Sequence, residues 1–264
     1  MIQIKKQEIP DILLENQQAW TENLIYLIYK YGGYDKIPEN FKNEAVNKYR
    51  HEEIKTAVIN ITKGKCIFCE SVIETVDYTN IEHFHPKALY PKFTFKWSNL
   101  FPACRKCNIP KGDTDTKKFP IVHPVYDEVE EYFTYTNLKI TINENAPDKV
   151  KAFNTINICK LDRITLCRQH SDILFSFYEV EEKIKETNEH YEKLIQNASK
   201  LKLAANLLES INNLKEQSRY TKPHAGFLRF LIKKNTIIQN AMTIINTNRI
   251  DLGLTNEFDF EWNV

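Results

Sequence analysis

The sequence has few of the features that mark membrane, secreted or fibrous proteins. Its apolar runs are short and interrupted by Lys, Glu or Asn, and its first ten residues, MIQIKKQEIP, contain no hydrophobic core of a signal peptide. Only 6 of its 264 residues are glycine, which favours a helix-rich protein with few tight turns. The net charge of +1 gives no attraction of the whole molecule to nucleic acid. We therefore expect a cytoplasmic globular protein that buries a core without disulfides.

Helices are predicted wherever apolar residues recur every three to four positions. Pro10 and Asp11 suit the start of the first such segment, and Gly32 with Gly33 suits its end. The predicted helical segments are 10–31, 41–61, the long stretch that begins at Pro147, 199–218 and 223–246.

The middle of the sequence has a different character, because glycine, proline, cysteine and aromatic residues become more frequent between 62 and 120. Residues 78–84 and 92–97 resemble strands, and a hairpin is expected at 133–142. We predict a mainly α protein with a small ββα unit. The expected organisation is a helical segment at 1–61, the ββα unit at 62–120 and a mostly helical region at 121–264.

Two CxxC pairs enclose this middle segment. Cys66 with Cys69 and Cys104 with Cys107 provide four thiolates, which is the ligand set of a closed, structural zinc site. Such a site would hold together a unit too small to bury enough apolar surface by itself. Two further cysteines, Cys159 and Cys167, fall in the apolar pattern of a predicted helix and are interpreted as core residues.

Charge in this segment favours an anion only weakly. Residues 61–120 contain ten Lys or Arg against six Asp or Glu, a local charge of +4. Four zinc-bound thiolates would lower it to about +2, so the segment has a local preference for an anion and is not a strongly basic binder.

The motif between the cysteine pairs has an order that resembles a known family. Written as C-x2-C, IEHFHPK, WSNL and C-x2-CN-x2-K, residues 66–112 resemble the zinc-stapled HNH endonucleases, whose ββα-metal hairpin is clipped by four cysteines. The resemblance implies that His83 is the general base, that Asn99 steadies the loop and that Asn108 is the last motif residue. Glu82 stands where the family commonly has Asp, and it is implied to hold a metal ion together with Asn108.

The chemistry of these residue types agrees with that resemblance. A neutral imidazole is able to take a proton from water at physiological pH, and the carboxylate of Glu82 with the amide oxygen of Asn108 favours Mg²⁺ or Mn²⁺. Lys87 and Lys111 are candidates to hold flanking phosphates as point charges. By resemblance, the products would carry a 5′-phosphate and a 3′-hydroxyl.

Neighbouring side chains alternate between the two faces of an extended chain, which matters for the histidines. His83 and His85 would point one way and Glu82 the other, so a bend is required for Glu82 and His83 to reach the same site. His85 remains open to two interpretations, a substrate contact or a cap of the loop.

A narrower resemblance covers more of the chain. The segments CIFCE, IEHFHPK, WSNLFPACRKCNIPKGD, FPIVHPVYDEVEEYFTY and APDKVKAFNTINICKLDRITLCRQ are similar to the PtuB-like HNH subunits of Septu-type antiphage systems and to retron-associated nucleases. In that family the position of His85 is often Arg, so the sequence departs there. The resemblance implies an effector that acts with an ABC-type ATPase partner, in some systems with a retron reverse transcriptase and its RNA-DNA hybrid.

Alternative functions stay open at this level. The chain could be a four-cysteine zinc module that binds nucleic acid or protein without cutting, and structured RNA is an alternative to DNA as substrate. A redox role for the CxxC pairs is disfavoured because neither lies in a thioredoxin-like βαβ pattern. Glu82, His83 and Asn108 separate the nuclease from the binding module, since passive binding needs no such set.

Overall fold

A computed structural model describes residues 1–73 and 80–260 of the chain. The chain divides into two compact units, Met1–Arg163 and Ile164–Val264. The described residues are mainly helical with two small sheets, as the sequence predicted. The first unit holds every predicted site residue together with the segments 1–61 and 62–120, and the division of the chain into three segments stays a prediction.

The first unit begins with the long helix α1 (Asp11–Tyr31), which confirms the helix predicted at 10–31. Pro10 precedes it with a φ of −59°, close to the value that the proline ring imposes. The helix ends at Gly32, whose φ of +73° is left-handed and whose N–H donates to the carbonyl of Tyr29.

The single helix predicted at 41–61 is wrong. The chain instead forms α2 (Glu39–Val46), a 3₁₀ turn (Asn47–Arg50) and α3 (Glu52–Ile61). The break lies at His51, which is extended (ψ 139°) and whose ring nitrogen accepts the N–H of Glu53, capping α3. Buried residues lie on both sides of the break, and α2 and α3 both pack on α1, so apolar spacing alone did not reveal it.

The first sheet has two antiparallel strands, β1 (Asn80–His83) and β2 (Leu100–Ala103). The strand predicted at 78–84 is confirmed from Asn80 to His83, while residues 78 and 79 lie outside the described residues. His83 pairs with Leu100 at the end of the ladder, and the chain bends after it.

The second predicted strand, at 92–97, is wrong. Those residues form 3₁₀ turns at Pro91–Phe93 and Trp97–Asn99, each closed by hydrogen bonds to the residue three positions before. The alternating aromatic residues that suggested a strand are anchors of a loop: Phe95 is fully buried, and its ring lies edge-on to Trp20 at 5.5 Å. The true strand, β2, was missed because it contains Pro102, which cannot donate to a ladder.

The chain continues from β2 into the short helix α4 (Arg105–Lys111), which packs on β1. After α5 (Val129–Tyr132), the predicted hairpin is confirmed as β3 (Phe133–Thr136) and β4 (Lys139–Ile142). Its two turn residues, Asn137 and Leu138, have positive φ angles, as a type I′ turn requires. The unit closes with α6 (Lys149–Ile158), which packs on α4 and β4.

The second unit packs α7 (Ile164–Lys193), α8 (Asn197–Gln217) and α10 (Thr236–Thr247) on one another, and α9 (Ala225–Lys234) on α7. The prediction at 199–218 is confirmed. The single helix predicted at 223–246 is wrong, because Asn235 is extended (ψ 115°) and accepts the N–H of Ile238 with its side chain, which ends α9 and begins α10.

The helices of the described residues include none that is both long and apolar enough to cross a membrane.

Candidate functional site

The four predicted cysteine ligands come together in the first unit. Their sulfur atoms all lie within 4.8 Å of one another, and the sulfurs of Cys69 and Cys104 are 3.7 Å apart. Two ligands of a tetrahedral Zn–S site with bonds of about 2.3 Å are separated by about 3.8 Å. The geometry therefore fits a structural zinc ion held by four thiolates.

Local hydrogen bonds shape each half of this cluster. The loop of Cys66 and Cys69 closes as the N–H of Glu70 donates to the carbonyl of Cys66, with Glu70 in a left-handed conformation (φ +60°). On the other side, Cys104 precedes the first residue of α4, and the N–H of Cys107 donates back to its carbonyl. Each pair of sulfurs is thus presented by one tight turn.

Two polar side chains approach the sulfurs from outside the CxxC pairs. The guanidinium of Arg163 donates to Cys107 Sγ at 3.5 Å, and the hydroxyl of Ser71 lies 3.3 Å from Cys69 Sγ. Hydrogen bonds from neighbouring thiols, Cys104 first, hold the pKa of Cys69 well below its usual value, whereas burial raises the pKa of Cys66. The positive charge of Arg163 favours the thiolate form, which is the form that binds metal.

A cavity of about 610 Å³ lies beside β1 and α4 in the same unit. Four of the predicted site residues line it: Glu82, His83, Lys87 and Asn108. The bend that the sequence required after His83 is present, and both β1 residues reach the cavity.

His83 is buried at the end of β1, and its hydrogen bond defines its tautomer. Its Nε2 lies 2.9 Å from the carbonyl oxygen of Thr94, which only accepts, so Nε2 carries the proton and Nδ1 keeps its lone pair. Burial, together with the charge of Lys87, lowers the pKa of His83 to about 3. The ring packs edge-on against Tyr49 at 4.7 Å, and the imidazole is neutral at physiological pH.

Glu82 is buried and forms an ion pair with Lys111, the last residue of α4. Burial raises the pKa of Glu82, and Lys111 opposes that rise. The Lys111 ammonium also donates to the backbone carbonyl of His83 at 3.0 Å. Lys111 was predicted to hold phosphate, but it does not line the cavity in this structure; that role stays a prediction.

Asn108 and Lys87 complete the predicted lining residues. Asn108 lies on α4 one turn before Lys111, and Lys87 follows the bend after β1 with its ammonium 5.9 Å from the ring centre of Tyr49. Glu82 and Asn108 therefore border the same cavity, and their side-chain oxygens are donors of the type that binds Mg²⁺ or Mn²⁺ together with water.

Asn99 lies outside the cavity lining and holds the loop that frames it. Its side-chain oxygen accepts the N–H of His85 at 2.7 Å, and its amide donates to the carbonyls of His85 and Phe93 at 3.0 Å each. Two of these bonds hold the bend after β1 at His85, and the third holds Phe93, the last residue of the 3₁₀ turn that precedes Thr94. Asn99 thus fixes the segment whose Thr94 carbonyl orients His83.

His85 is half-buried and faces away from the cavity lining into a separate cluster. Its Nδ1 lies 2.7 Å from the hydroxyl of Thr116, and its ring packs between Tyr90 and Phe93. Burial and the charge of Lys117 lower its pKa. Its role in substrate binding stays a prediction.

Sequence reasoning missed several residues that line the cavity: Tyr49, Arg50, Glu52, Lys55 and Asp113. Four of them lie at the break between α2 and α3, which the prediction of one continuous helix concealed. Arg163 was missed as well, because it is 56 residues from Cys107 and has no local motif. Asp113 was within reach, since it directly follows residue 112, where the HNH-like resemblance ends, and is the last residue of the segment WSNLFPACRKCNIPKGD.

Replacement of Asn99 by Ala tests the role of this side chain in the loop. N99A would remove three hydrogen bonds to part-buried backbone groups of His85 and Phe93, and we expect a loss of about 3 kcal/mol in the free energy of unfolding. Denaturant unfolding measures this loss, and S98A at the exposed neighbouring position is the control, with an expected change within about 0.5 kcal/mol. Equal stability of N99A and S98A would contradict the assignment.

Comparison with known proteins gives partial matches, and no family model matches the chain. The chain is 34% identical over 103 residues to the Septu protein PtuB of Bacillus thuringiensis, which is 39% of this chain and 40% of that protein. It is 34% identical over 73 residues to the Septu protein PtuB of Bacillus mycoides (strain KBAB4), 23% of this chain and 25% of that protein. A third relative, Protein ea31 of Escherichia phage lambda, is 29% identical over 161 residues, 53% of each chain. The chain is therefore similar to Septu PtuB proteins over less than half of their length.

Proposed function

We propose that this chain is an HNH-type endonuclease that hydrolyses phosphodiester bonds in nucleic acid, DNA in preference to structured RNA. The observation that supports it most is His83, a neutral histidine whose tautomer leaves Nδ1 available beside a cavity that Glu82 and Asn108 also line. The similarity to Septu PtuB proteins supports a role in antiphage defence.

The proposed chemistry starts from proton removal. His83 Nδ1 takes a proton from the attacking water, while the Nε2–H bond to the Thr94 carbonyl keeps the ring oriented. The cations Arg50, Lys55 and Lys87 border the cavity and would bind the phosphates on either side of the cut. We expect a 5′-phosphate and a 3′-hydroxyl as products.

Glu82 and Asn108 would hold Mg²⁺ or Mn²⁺, which when bound supplies positive charge to the non-bridging and leaving oxygens. The four-cysteine cluster would hold zinc in a structural role, since all four ligand positions are filled by protein. In this proposal the two ions have separate sites and separate tasks.

The proposed partner is a PtuA-like ABC-type ATPase, with a retron reverse transcriptase and its RNA-DNA hybrid as a further component in some systems. The similarity to PtuB is the support for the ATPase. The alternative function is a zinc module that binds nucleic acid or protein without cutting, and the experiments below distinguish it from the nuclease.

Metal analysis tests the zinc site. We expect about one zinc per chain in the wild type and in C167A, and loss of that zinc with a lowered melting temperature in C104A. Cys167 is a matched control because it is buried but lies on α7, outside the cluster. Full zinc content in C104A would contradict a four-thiolate site.

Replacement of His83 tests the nuclease. H83A is expected to lower the rate of phosphodiester cleavage in Mg²⁺ or Mn²⁺, with the ATPase partner present, by at least about 100-fold, the usual contribution of a general base. H190A, at an exposed position on α7, is the control and should cut like the wild type. If H83A cuts as fast as H190A, or if the wild type binds nucleic acid but never cuts it, the binding module is the better assignment.

The lowered pKa of His83 predicts how stability depends on pH. The unfolded chain binds a proton on this imidazole below about pH 6.5, whereas the folded chain does so only near pH 3, so folding is disfavoured as pH falls through that window. Between pH 6.5 and 4.5 the wild type should lose more unfolding free energy than H83Q, by about 1.4 kcal/mol per pH unit. Unfolding curves at several pH values measure this, with H190Q as control; parallel losses in wild type and H83Q would contradict a neutral buried His83.

A further inference from the structure

Lys111 has an environment unlike that of any other cation at this site. Its side chain is fully buried, and its ammonium binds the carboxylate of Glu82 and the backbone carbonyl of His83. Arg50, Lys55 and Lys87, by contrast, border the cavity. Lys111 is therefore the counter-ion of Glu82 inside the protein. Loss of either partner would leave a buried charge unpaired, which lowers the free energy of unfolding strongly.

The partners of Lys111 are the kind of atoms that a hard divalent ion prefers. Carboxylate and carbonyl oxygens bind Mg²⁺ and Mn²⁺, and Asn108, one helical turn before Lys111, lines the cavity and carries another such oxygen. The ammonium therefore shares with the proposed ion the one carboxylate that both would use. The ammonium and the ion would repel each other if both contacted this buried carboxylate. Binding of the ion would therefore require the ammonium to move away.

We propose that Lys111 is a positioning residue that competes with the divalent ion for Glu82 and holds the metal-free site in a neutral, closed form. Metal binding then displaces the ammonium from Glu82 towards the cavity, where it becomes available to phosphate. This inference rests on the proposed function, since it requires that Glu82 is a metal ligand. It also reconciles the buried position of Lys111 with the phosphate contact predicted from the sequence.

The affinity of the protein for Mn²⁺ alone, measured by calorimetry at fixed pH without nucleic acid, tests the competition. K111M removes the ammonium but keeps a side chain of similar length, so Mn²⁺ should bind at least about tenfold more tightly than to the wild type. Mn²⁺ should also raise the melting temperature of K111M more than that of the wild type, because it replaces the missing counter-ion. Both readouts are independent of catalysis.

Two control variants separate the possible causes. K106M removes an exposed cation of α4 that does not line the cavity, and we expect its Mn²⁺ affinity to change by less than about threefold. E82Q should lose this Mn²⁺ site. If E82Q loses the site but K111M binds Mn²⁺ no more tightly than the wild type, the competition is refuted and the nuclease proposal stands. If no Mn²⁺ binding depends on Glu82, the competition and the nuclease proposal are both refuted.

A measurement on the wild type keeps the inference testable if K111M does not fold. Lysine acylation followed by peptide mass spectrometry should show Lys111 protected in the metal-free protein. Saturating Mn²⁺ should increase its modification by about tenfold, because the displaced amine reaches the solvent-filled cavity. Equal protection of Lys111 with and without Mn²⁺ would overturn the displacement.

Discussion

The convergence of four sulfur atoms is the constraint on which the rest of the site depends. Cys66 and Cys69 precede β1, and Cys104 and Cys107 begin α4, so the cluster ties the two ends of the intervening segment together. The N–H of Ile67 donates to the carbonyl of Pro102, which joins the first cysteine loop to β2 as well. With α4 fixed against β1, Lys111 is brought to the side chain of Glu82 and Asn108 to the same cavity, although both are distant from Glu82 in sequence. A bound metal ion would stabilise a small, loop-rich segment of this kind.

Two of the polar side chains buried in this unit, Asn99 and His83, are satisfied by partners from the chain itself. Asn99 makes three hydrogen bonds to the loop backbone, and His83 bonds to the carbonyl of Thr94 within that loop. An unpaired buried group would cost roughly 1 to 3 kcal/mol, so each bond restricts the loop to one arrangement. Stability and site geometry are therefore coupled, because the hydrogen bond that satisfies Nε2 of the buried His83 also leaves the lone pair on Nδ1.

Local sequence predicted the parts of the fold that local forces determine. The helix ending at Gly32 and the hairpin turning at Asn137 have signals within a few residues, and both predictions are confirmed. The strand prediction at 92–97 failed because its alternating aromatic residues anchor a loop, and the helix prediction at 41–61 failed because both of its halves carry buried residues and pack on α1. The lining residues Tyr49 and Arg50 were missed for the same reason, since only tertiary packing brings that break to the cavity.

The motif predicted the same role for its two lysines, and the structure separates them. Lys87 borders the cavity, whereas Lys111 lies beneath it on a buried carboxylate. Both side chains carry the same charge, but solvent screens the charge of Lys87 more than that of the buried Lys111. The electrostatic attraction between Lys111 and Glu82 is therefore the stronger one. Glu at this position, one methylene longer than the Asp common in similar motifs, has the reach to meet an ammonium from α4. The longer side chain of Glu82 and the buried Lys111 thus form one ion pair, and each accounts for the position of the other.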